Sequence, residues 1–558
     1  MLKNLKRHKL LCYFILILAV GVFLRTINNN WDNGYYFHPD ERALVLFAIP
    51  LSIPSSWSNF ISVNSSLNPH FFAYGSFPIY LLKLSSEVAK IYSPTLGEYG
   101  NIHYVGRFLA ALFDTGTIIL IYFVGKRLFS KRVGLISAFC YSASVLPIQL
   151  SHSYTVDPLL TFFLLLTLYF LLIILEKAQT KAAVLIGIAF GVCLSIKISA
   201  LIFLPVILVT YLITARRSKE KKRMLPLFLA TTLSSISTIL ILQPYSFIDI
   251  NEFKAQTLQQ TEMSYNPFIF PYTLQYVGKI PFFYELKNIF LWGLGVPLAS
   301  ISFIGIIALT KRTIQKSKKI NVSLIVFLLF FWLYFLFFGK AAVGFMRYML
   351  PIYPLFAIAA GYICDKTYNI IPKKIRKKYL YRKVILLSFV LLLLVYPISF
   401  IHIYLKSNTR IQASYWINQN IPHGSVLAVE HWDDSLPVYG DKYYTHVSLP
   451  LYDPDSDAKW DNIQNLLSHA QYIIIASNRL YVPLQKLTDC TKVVSYRCYP
   501  KTAEYYKNLF SGKLGFKKIK EFSSYPTIPF TNIEINDFSA DENFTSFDHP
   551  KIMIFKKD

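Results

Sequence analysis

The sequence predicts a polytopic α-helical membrane protein with about eleven transmembrane helices, followed by a soluble α/β domain. Two observations predict the membrane part. The 558 residues are 54% hydrophobic and only 16% charged, and apolar runs long enough to cross a bilayer recur over residues 1–404. A third observation predicts the soluble part, because from residue 405 charged residues occur throughout and the apolar runs become short.

Ten apolar runs mark the expected membrane segments. One of them, 182–214, would form a helix of about 50 Å, whereas the hydrocarbon core of a bilayer is about 30 Å thick. Dividing this run at "LSIKISA" gives eleven spans. The first run is longer than a signal peptide and lacks a small-residue cleavage site. The runs lie near 11–27, 105–125, 133–150, 157–175, 182–214, 224–243, 288–310, 320–338, 348–365 and 384–404.

The basic residues predict the orientation of the chain. The net charge of +26 comes mainly from short connectors such as "GKRLFSKR", "ARRSKEKKR" and "IPKKIRKKYLYRK". Lys and Arg number 29 in the connectors assigned to the inside and 9 in the far longer ones assigned to the outside. This bias is the positive-inside pattern, so it accounts for the charge without nucleic-acid binding. The N-terminus is therefore expected in the cytoplasm and the C-terminus outside.

The chain is expected to divide into two domains. A transmembrane domain covers 1–404, with long outer loops at 28–104 and 244–287, and an extracytoplasmic α/β domain covers 405–558. The tail contains one amphipathic helical pattern, "NTRIQASYWINQNIP", and short β-like runs such as "GSVLAVEHW", "AQYIIIAS" and "KIMIFKK". Its two cysteines, Cys490 and Cys498, would be able to pair in an oxidising compartment.

Three ionisable residues lie at the outer ends of apolar runs. Charges at membrane depth are costly, so each of these residues is expected to have a structural or a functional role. Lys197 is either a snorkelling side chain or part of an anion site, most simply for a phosphate. Asp157 either stabilises the start of a helix through its interaction with the helix dipole or has a functional role. Arg347 is either an interface anchor or a second cation of the same site.

Two adjacent acids, Asp40 and Glu41, follow Pro39 in the first outer loop, and we expect them outside any regular helix. Such a pair is usually solvated surface. Together with outward-facing cations, however, it suits a reaction on a lipid-linked phosphate, in which a carboxylate takes a proton from a hydroxyl. Glu41 would then pair with a cation or hold the loop. Arg107 is expected to pair with Asp114, two helical turns deeper in the second span.

Several motifs together resemble a known family. They are "NPHFFAYGSFPIYLLKL" (68–84), "YVGRFLAALFDTGTIILIYFVGKRLFSKRVGLISAF" (104–139), "LSHSYTVDPLLTFFLLL" (150–166) and "RYMLPIYPLFAI" (347–358). With an acidic pair in the first outer loop, their order resembles the dolichyl-phosphate-mannose–protein mannosyltransferases (glycosyltransferase family 39). It also resembles the related aminoarabinose transferase of lipid A. Both have the GT-C fold.

The resemblance implies an inverting transfer of a sugar, mannose or similar, from a polyprenyl-monophosphate donor to an acceptor hydroxyl, without a nucleotide sugar. The acceptor would be a protein, a lipid or a glycan, and the enzyme would lie in a prokaryotic plasma membrane. No metal ligands are assigned, and the need for a divalent cation is left open. The resemblance implies Asp40, Glu41 and Asp157 for catalysis, and Lys197 and Arg347 for the donor phosphate. We also assign His38, which has no clear role in the family, Tyr74 and Arg107 to substrate binding.

A polytopic transporter or flippase of a lipid-linked substrate is the alternative, since buried charges also line transport pathways. Transporters often show internal repeats and broken helices in matching halves. The sequence shows no internal repeat, and transport does not require a large outer tail. The transferase is therefore the favoured interpretation.

Overall fold

The computed structural model describes residues 2–217, 221–315, 321–370 and 378–558. The basic connectors 215–223, 311–319 and 366–383 therefore lie partly outside the described residues. Up to Leu405 the α-helices are Leu2–Thr26, Pro39–Ala48, Trp57–Phe60, Phe77–Ala89, Ile102–Leu128, Lys131–Ser142, Val145–Ser151, Val156–Glu176, Thr180–Ile196, Leu204–Arg217, Met224–Leu242, Tyr245–Ile248, Ile250–Tyr265, Phe283–Asn288, Val296–Ile314, Val322–Lys340, Tyr353–Ile370 and Lys378–Leu405.

The membrane part agrees with the predicted class. Within the described ranges, nine helices are long and apolar enough to cross a bilayer, or ten if the bent pair Lys131–Ser142 and Val145–Ser151 is one span. A shorter apolar helix, Thr180–Ile196, adds to these. It ends at Lys197, and a 3-10 turn, Ile198–Phe203, starts the next span. The predicted division of the long apolar run at "LSIKISA" is thus confirmed.

The first outer loop contains regular structure, which corrects one expectation. Asp40 and Glu41 do not lie outside a helix but in the first turn of Pro39–Ala48. Proline is well suited to the first helical position, and carboxylates are favoured near a helix N-terminus because they interact with its dipole. Successive helical side chains point about 100° apart, so the two acids face different partners.

The tail contains a five-stranded mixed sheet. Its strands are β1 (Val426–Glu430), β2 (Thr445–Leu449), β3 (Tyr472–Ile475), β4 (Phe516–Phe522) and β5 (Ile552–Lys557), in the order β2-β1-β3-β5-β4. β1 runs parallel to β2 and β3, and β5 runs antiparallel to β3 and β4. The tail helices are Thr409–Asn420, Asp457–His469, Tyr481–Leu484, Pro500–Phe510 and Glu542–Thr545.

The predicted features of the tail are largely found. The amphipathic pattern forms helix Thr409–Asn420, and the three β-like runs form β1, β3 and β5. Cys490 and Cys498 form a disulfide, with their Cα atoms 5.4 Å apart. Helix Lys378–Leu405 reaches the expected domain boundary after residue 404, and that boundary remains a prediction.

The tail is attached to the membrane part through the segment 541–549. The Asp548 carboxylate accepts hydrogen bonds from Gln149 at 2.9 Å and from the Tyr404 hydroxyl at 2.8 Å. The buried His549 ring contacts Asp548 at 2.5 Å on one nitrogen and Asp537 at 3.0 Å on the other. These contacts hold the tail against the ends of two membrane helices.

His549 makes this attachment dependent on pH. Burial alone would lower its pKa, but Asp537 and Asp548 raise it to about 10, above the ordinary value near 6.5. A raised folded-state pKa stabilises the fold fully below pH 6.5, and that stabilisation is lost progressively as the pH rises towards 10.

We expect the unfolding temperature in detergent to fall between pH 7 and pH 10, and to fall less for His549→Gln. His469→Gln, at an exposed helix end, is the control, and equal slopes for all three proteins would contradict the prediction.

Candidate active site at the ends of the membrane helices

Four buried charged side chains alternate in sign at the centre of the candidate site. Arg347 Nη1 lies 2.8 Å from Asp40 Oδ2, and Arg347 Nε lies 3.8 Å from Asp157 Oδ2. Lys197 Nζ lies 3.7 Å from Asp157 Oδ1. None of the four side chains is more than 14% exposed. We call Asp40, Asp157, Lys197 and Arg347 the quartet.

Helix ends bring the quartet together. Asp40 and Asp157 each lie in the first turn of a helix, Pro39–Ala48 and Val156–Glu176 respectively. Lys197 follows the last residue of Thr180–Ile196, and Arg347 lies in the 3-10 turn Met346–Ile352. Side chains at helix ends can reach one another across the mouth of a bundle, whereas side chains along its length are separated by the helices.

Gly75 positions the first outer loop against this mouth. Its N–H donates to the Ile196 carbonyl at 2.9 Å, and a Cβ built on it would lie 2.0 Å from the Ser195 carbonyl oxygen. Only glycine permits so close an approach of two backbones. As a result the Tyr74 ring centroid lies 6.0 Å from Lys197 Nζ.

Aromatic rings surround the two cations. Lys197 Nζ lies 4.0 Å from the centroid of the Tyr348 ring, and Arg347 Cζ lies 4.8 Å from that of Phe345. Ring faces attract cations, and they also exclude water, so an anion that enters this site interacts with less screening than it would in solution. Lys197 therefore lies in the site and does not snorkel to the surface.

The Asp40 carboxyl is held in its ionised form. Burial alone would raise its pKa, but Arg347, His38, a hydrogen bond from Tyr74 and Lys197 together lower the pKa below its ordinary value. Burial lowers the pKa of His38 to about 4, so its imidazole is neutral at pH 7. An ionised carboxylate can accept a proton from a substrate. The neutral His38 ring has one donor and one acceptor nitrogen.

Beside the quartet lies a second cluster, formed by Arg107, Asp32 and Glu41, that is entirely buried. Arg107 donates to both Asp32 oxygens at 3.0 and 2.8 Å, and to both Glu41 oxygens at 2.9 and 2.7 Å. Glu41 also accepts the Tyr154 N–H at 2.9 Å. The expectation that Glu41 pairs with a cation is thus confirmed. We call Asp32, Glu41 and Arg107 the triad.

The triad corrects the partner expected for Arg107. Asp114 accepts instead from Arg25 at 2.5 Å and from the Tyr141 hydroxyl at 2.5 Å. The reason is distance, because seven residues along one helix separate Arg107 and Asp114 by about 10 Å. A residue on a neighbouring helix reaches Asp114 more easily. Arg107 therefore lies in the triad that carries Glu41, and not in the quartet.

A narrow cavity lies between the quartet and the tail. Arg347 and His38 line it from the membrane side, and Asn543 and Asp548 line it from the tail. The His38 ring centroid lies 4.6 Å from that of Phe547. Sequence reasoning missed the tail residues here, because they carry no local motif and lie hundreds of residues from Asp40.

The described part of the chain contains no group of three or more His, Cys, Asp or Glu side chains placed to hold a metal ion. The sequence assigned no metal ligand and left the need for a divalent cation open.

The triad provides a test of how the first loop is held. Replacing Arg107 by Ala would leave Asp32 and Glu41 buried without their cation, a change that typically costs about 3–5 kcal/mol. We expect Arg107→Ala to lower the unfolding temperature strongly. Lys90→Ala removes an exposed ion pair in the same loop and should cost about 1 kcal/mol or less. Equal stabilities of the two variants would contradict this account of the triad.

Comparisons with known proteins agree with this architecture. The family model described as dolichyl-phosphate-mannose-protein mannosyltransferase matches residues 99–242. A Bacillus subtilis (strain 168) protein named "Putative mannosyltransferase YkcB" is 26% identical over 225 residues, which are 39% of this chain. The match spans 28% of the length of that relative.

Solved structures show the same fold. The archaeal oligosaccharyltransferase AglB from Archaeoglobus fulgidus, in complex with an inhibitory peptide and a dolichol-phosphate, has a TM-score of 0.54 at 13% identity, covering 99% of this chain and 89% of that chain. The same organism's oligosaccharyltransferase, tethered to an acceptor peptide, has a TM-score of 0.51 at 13% identity, with coverages of 95% and 74%. The chain therefore has the GT-C fold, and its resemblance to the dolichyl-phosphate-mannose-protein mannosyltransferase family is confirmed over residues 99–242.

Proposed function

We propose that this protein is an inverting glycosyltransferase that moves a sugar from a polyprenyl-monophosphate donor to an acceptor hydroxyl. The observation that carries the proposal is the quartet, which places an ionised carboxylate beside two cations at the mouth of the helix bundle. The fold and the family match at 99–242 support the same reaction class. Mannose or a similar sugar is the proposed cargo, and the acceptor is a protein, a lipid or a glycan.

Lys197 and Arg347 bind the donor phosphate in this mechanism. Their distances of 3.7 and 3.8 Å to Asp157 exceed ordinary hydrogen-bond lengths, so phosphate oxygens can compete for these donors. Asp157 is then a positioning residue, which keeps both cations near one point. The aromatic rings of Tyr348 and Phe345 keep the bound phosphate away from bulk water.

Charge develops on the phosphate during transfer. The donor is a phosphodiester with one negative charge, and breaking its bond to the sugar leaves a phosphomonoester with a second one. Cations already in place stabilise this developing charge without reorganising, which is the usual source of large rate effects. Lys197 and Arg347 therefore lower the barrier by binding the leaving group more tightly as it departs.

Asp40 acts on the acceptor. The acceptor oxygen forms a bond to the anomeric carbon on the face opposite the phosphate, the carbon–phosphate oxygen bond breaks, and the hydroxyl proton passes to Asp40. A positioned carboxylate contributes typically about 10²–10⁴-fold to such a step. Arg347 forms an ion pair with Asp40 at 2.8 Å and keeps it ionised. Tyr74 and His38 lie beside Asp40 as polar contacts for the substrates.

The reaction is proposed to take place on the outer face of a prokaryotic plasma membrane, with the N-terminus in the cytoplasm. The distribution of Lys and Arg between the connectors supports this orientation. The disulfide between Cys490 and Cys498 supports an oxidising compartment for the tail. The tail, from residue 405, would then be an extracytoplasmic domain above the site.

Asp40→Asn tests the assignment of the base. The substitution keeps the shape of the side chain but removes its ability to take a proton, so transfer from a labelled polyprenyl-phosphate mannose should fall by about 10²-fold or more. Binding of that donor should persist, because both cations remain. The comparison is Lys197→Ala, which should weaken donor binding by about 1.5–3 kcal/mol.

Asp157→Asn completes the design. If Asp40→Asn keeps near-normal turnover while Asp157→Asn abolishes it, the base is Asp157 and the roles must be exchanged. Unchanged donor affinity in both Lys197→Ala and Arg347→Ala would remove the cations from the phosphate site, and with them the proposed function.

Cysteine labelling tests the orientation. In a chain carrying Cys12→Ser, a cysteine introduced at Asp457, whose side chain is 92% exposed, should react with a membrane-impermeant reagent in intact cells. A cysteine at Lys131, in an inner connector, should react only after permeabilisation. The reverse pattern would overturn the outer placement of the tail.

A further inference from the structure

A second, wider cavity lies between the tail and the segment that carries Asp40. It has a volume of about 250 Å³ and opens to solvent. We call it the tail cleft. The residues that line it are Phe37, Pro39, Arg42, Trp432, Asp433, Asp434 and Arg479.

Trp432 presents an aromatic face at this cleft. Its side chain remains 49% exposed, although it is the kind of residue that usually becomes buried. Its backbone has a φ of +77°, a left-handed conformation that is a true outlier for a bulky residue. Such strain persists only where the surroundings enforce it, and it clusters at ligand-binding sites.

Neighbouring contacts enforce this conformation. The next residue, Asp433, forms a buried ion pair with Arg410 at 3.2 Å and accepts a hydrogen bond from Ser477. Asp433 also accepts the N–H of Asp434 at 2.8 Å. These contacts fix the turn, while the Trp432 ring, which meets the His431 ring edge-on at 5.6 Å between centroids, stays half exposed.

The polar groups of the cleft cancel in charge. Arg42 Nη2 bonds Asp434 Oδ1 at 2.9 Å, and the two side chains are 36% and 26% exposed. Arg479 bonds Glu542 at 2.8 Å. Two cations and two carboxylates give no preference for an anion or a cation. The partly exposed Arg42–Asp434 pair can exchange partners with hydroxyl groups at little cost, whereas the Arg479–Glu542 pair is largely buried.

We propose that the tail cleft binds the acceptor and that this acceptor is a carbohydrate. An exposed ring packs against the C–H face of a sugar, while planar Arg and Asp groups around it pair with several hydroxyls at once. A peptide side chain would instead need an apolar pocket, and the lining of this cleft is mostly polar. The inference rests on the proposed function, since it assigns the acceptor of that same reaction.

The position of the cleft suits an extended glycan. Phe37, Pro39 and Arg42 face the tail cleft, while His38, within the same short segment, lines the cavity beside Arg347. Asp40 belongs to this dividing segment. Sugar units held in the cleft would therefore lie next to the base, and the reactive hydroxyl of the glycan reaches Asp40 from the tail side.

Binding of labelled oligosaccharides to the full-length protein in detergent tests the inference. The probes are short neutral oligosaccharides of mannose, glucose or N-acetylglucosamine, and a serine- and threonine-containing peptide. We expect at least one oligosaccharide to bind. Trp432→Ala should weaken the affinity for that oligosaccharide by at least about tenfold, as expected when an aromatic anchor is truncated. Trp432→Phe should weaken the affinity less. Asp434→Ala should also weaken binding. Trp57→Ala removes another exposed tryptophan, one that does not line the cleft, and should leave oligosaccharide binding unchanged.

Donor binding on the same preparations separates the two proposals. If labelled polyprenyl-phosphate mannose binds but no oligosaccharide does, the carbohydrate assignment is overturned and the transferase stands. The carbohydrate assignment also fails if the peptide binds and depends on Trp432, or if a bound oligosaccharide is indifferent to both Trp432→Ala and Asp434→Ala. If the donor itself does not bind, the proposed function fails. Matching unfolding temperatures of wild type and Trp432→Phe show that the variant is folded.

Discussion

The buried triad of Arg107, Asp32 and Glu41 is the interaction on which the site depends. All three side chains are fully buried, and Arg107 uses both edges of its guanidinium on the two carboxylates. A buried pair of this kind stabilises little by itself, but breaking it is costly. The triad acts by positioning: it fixes the helix that starts at Pro39, and this helix places Asp40 beside Arg347.

The quartet shows how charges are kept at membrane depth. Two carboxylates and two cations alternate in space, so the group is neutral and each charge has an opposite neighbour. This arrangement offsets part of the desolvation cost while leaving contacts near 3.7 Å that a phosphate can replace. The adjacent acids have separate tasks, because Glu41 is bound within the triad and only Asp40 faces the site.

The tail forms one side of the site and contacts the membrane part directly. Asp548 accepts hydrogen bonds from Gln149 and Tyr404 of the membrane part, and Phe547 packs on His38. This geometry explains why the two cavities beside Asp40 are each lined from both sides.

The sequence by itself determined the class of fold, the break at Lys197, three of the five tail strands and the residue types of the quartet. These follow from local signals, namely the length of apolar runs, the side-chain period and the charge of connectors. The partner of Arg107 and the two cavities were decided by tertiary structure alone. Their contacts join residues far apart in the chain, such as Arg42 and Asp434, which are 392 positions apart. No local pattern encodes such a contact, because it depends on how the tail folds back over the helix ends.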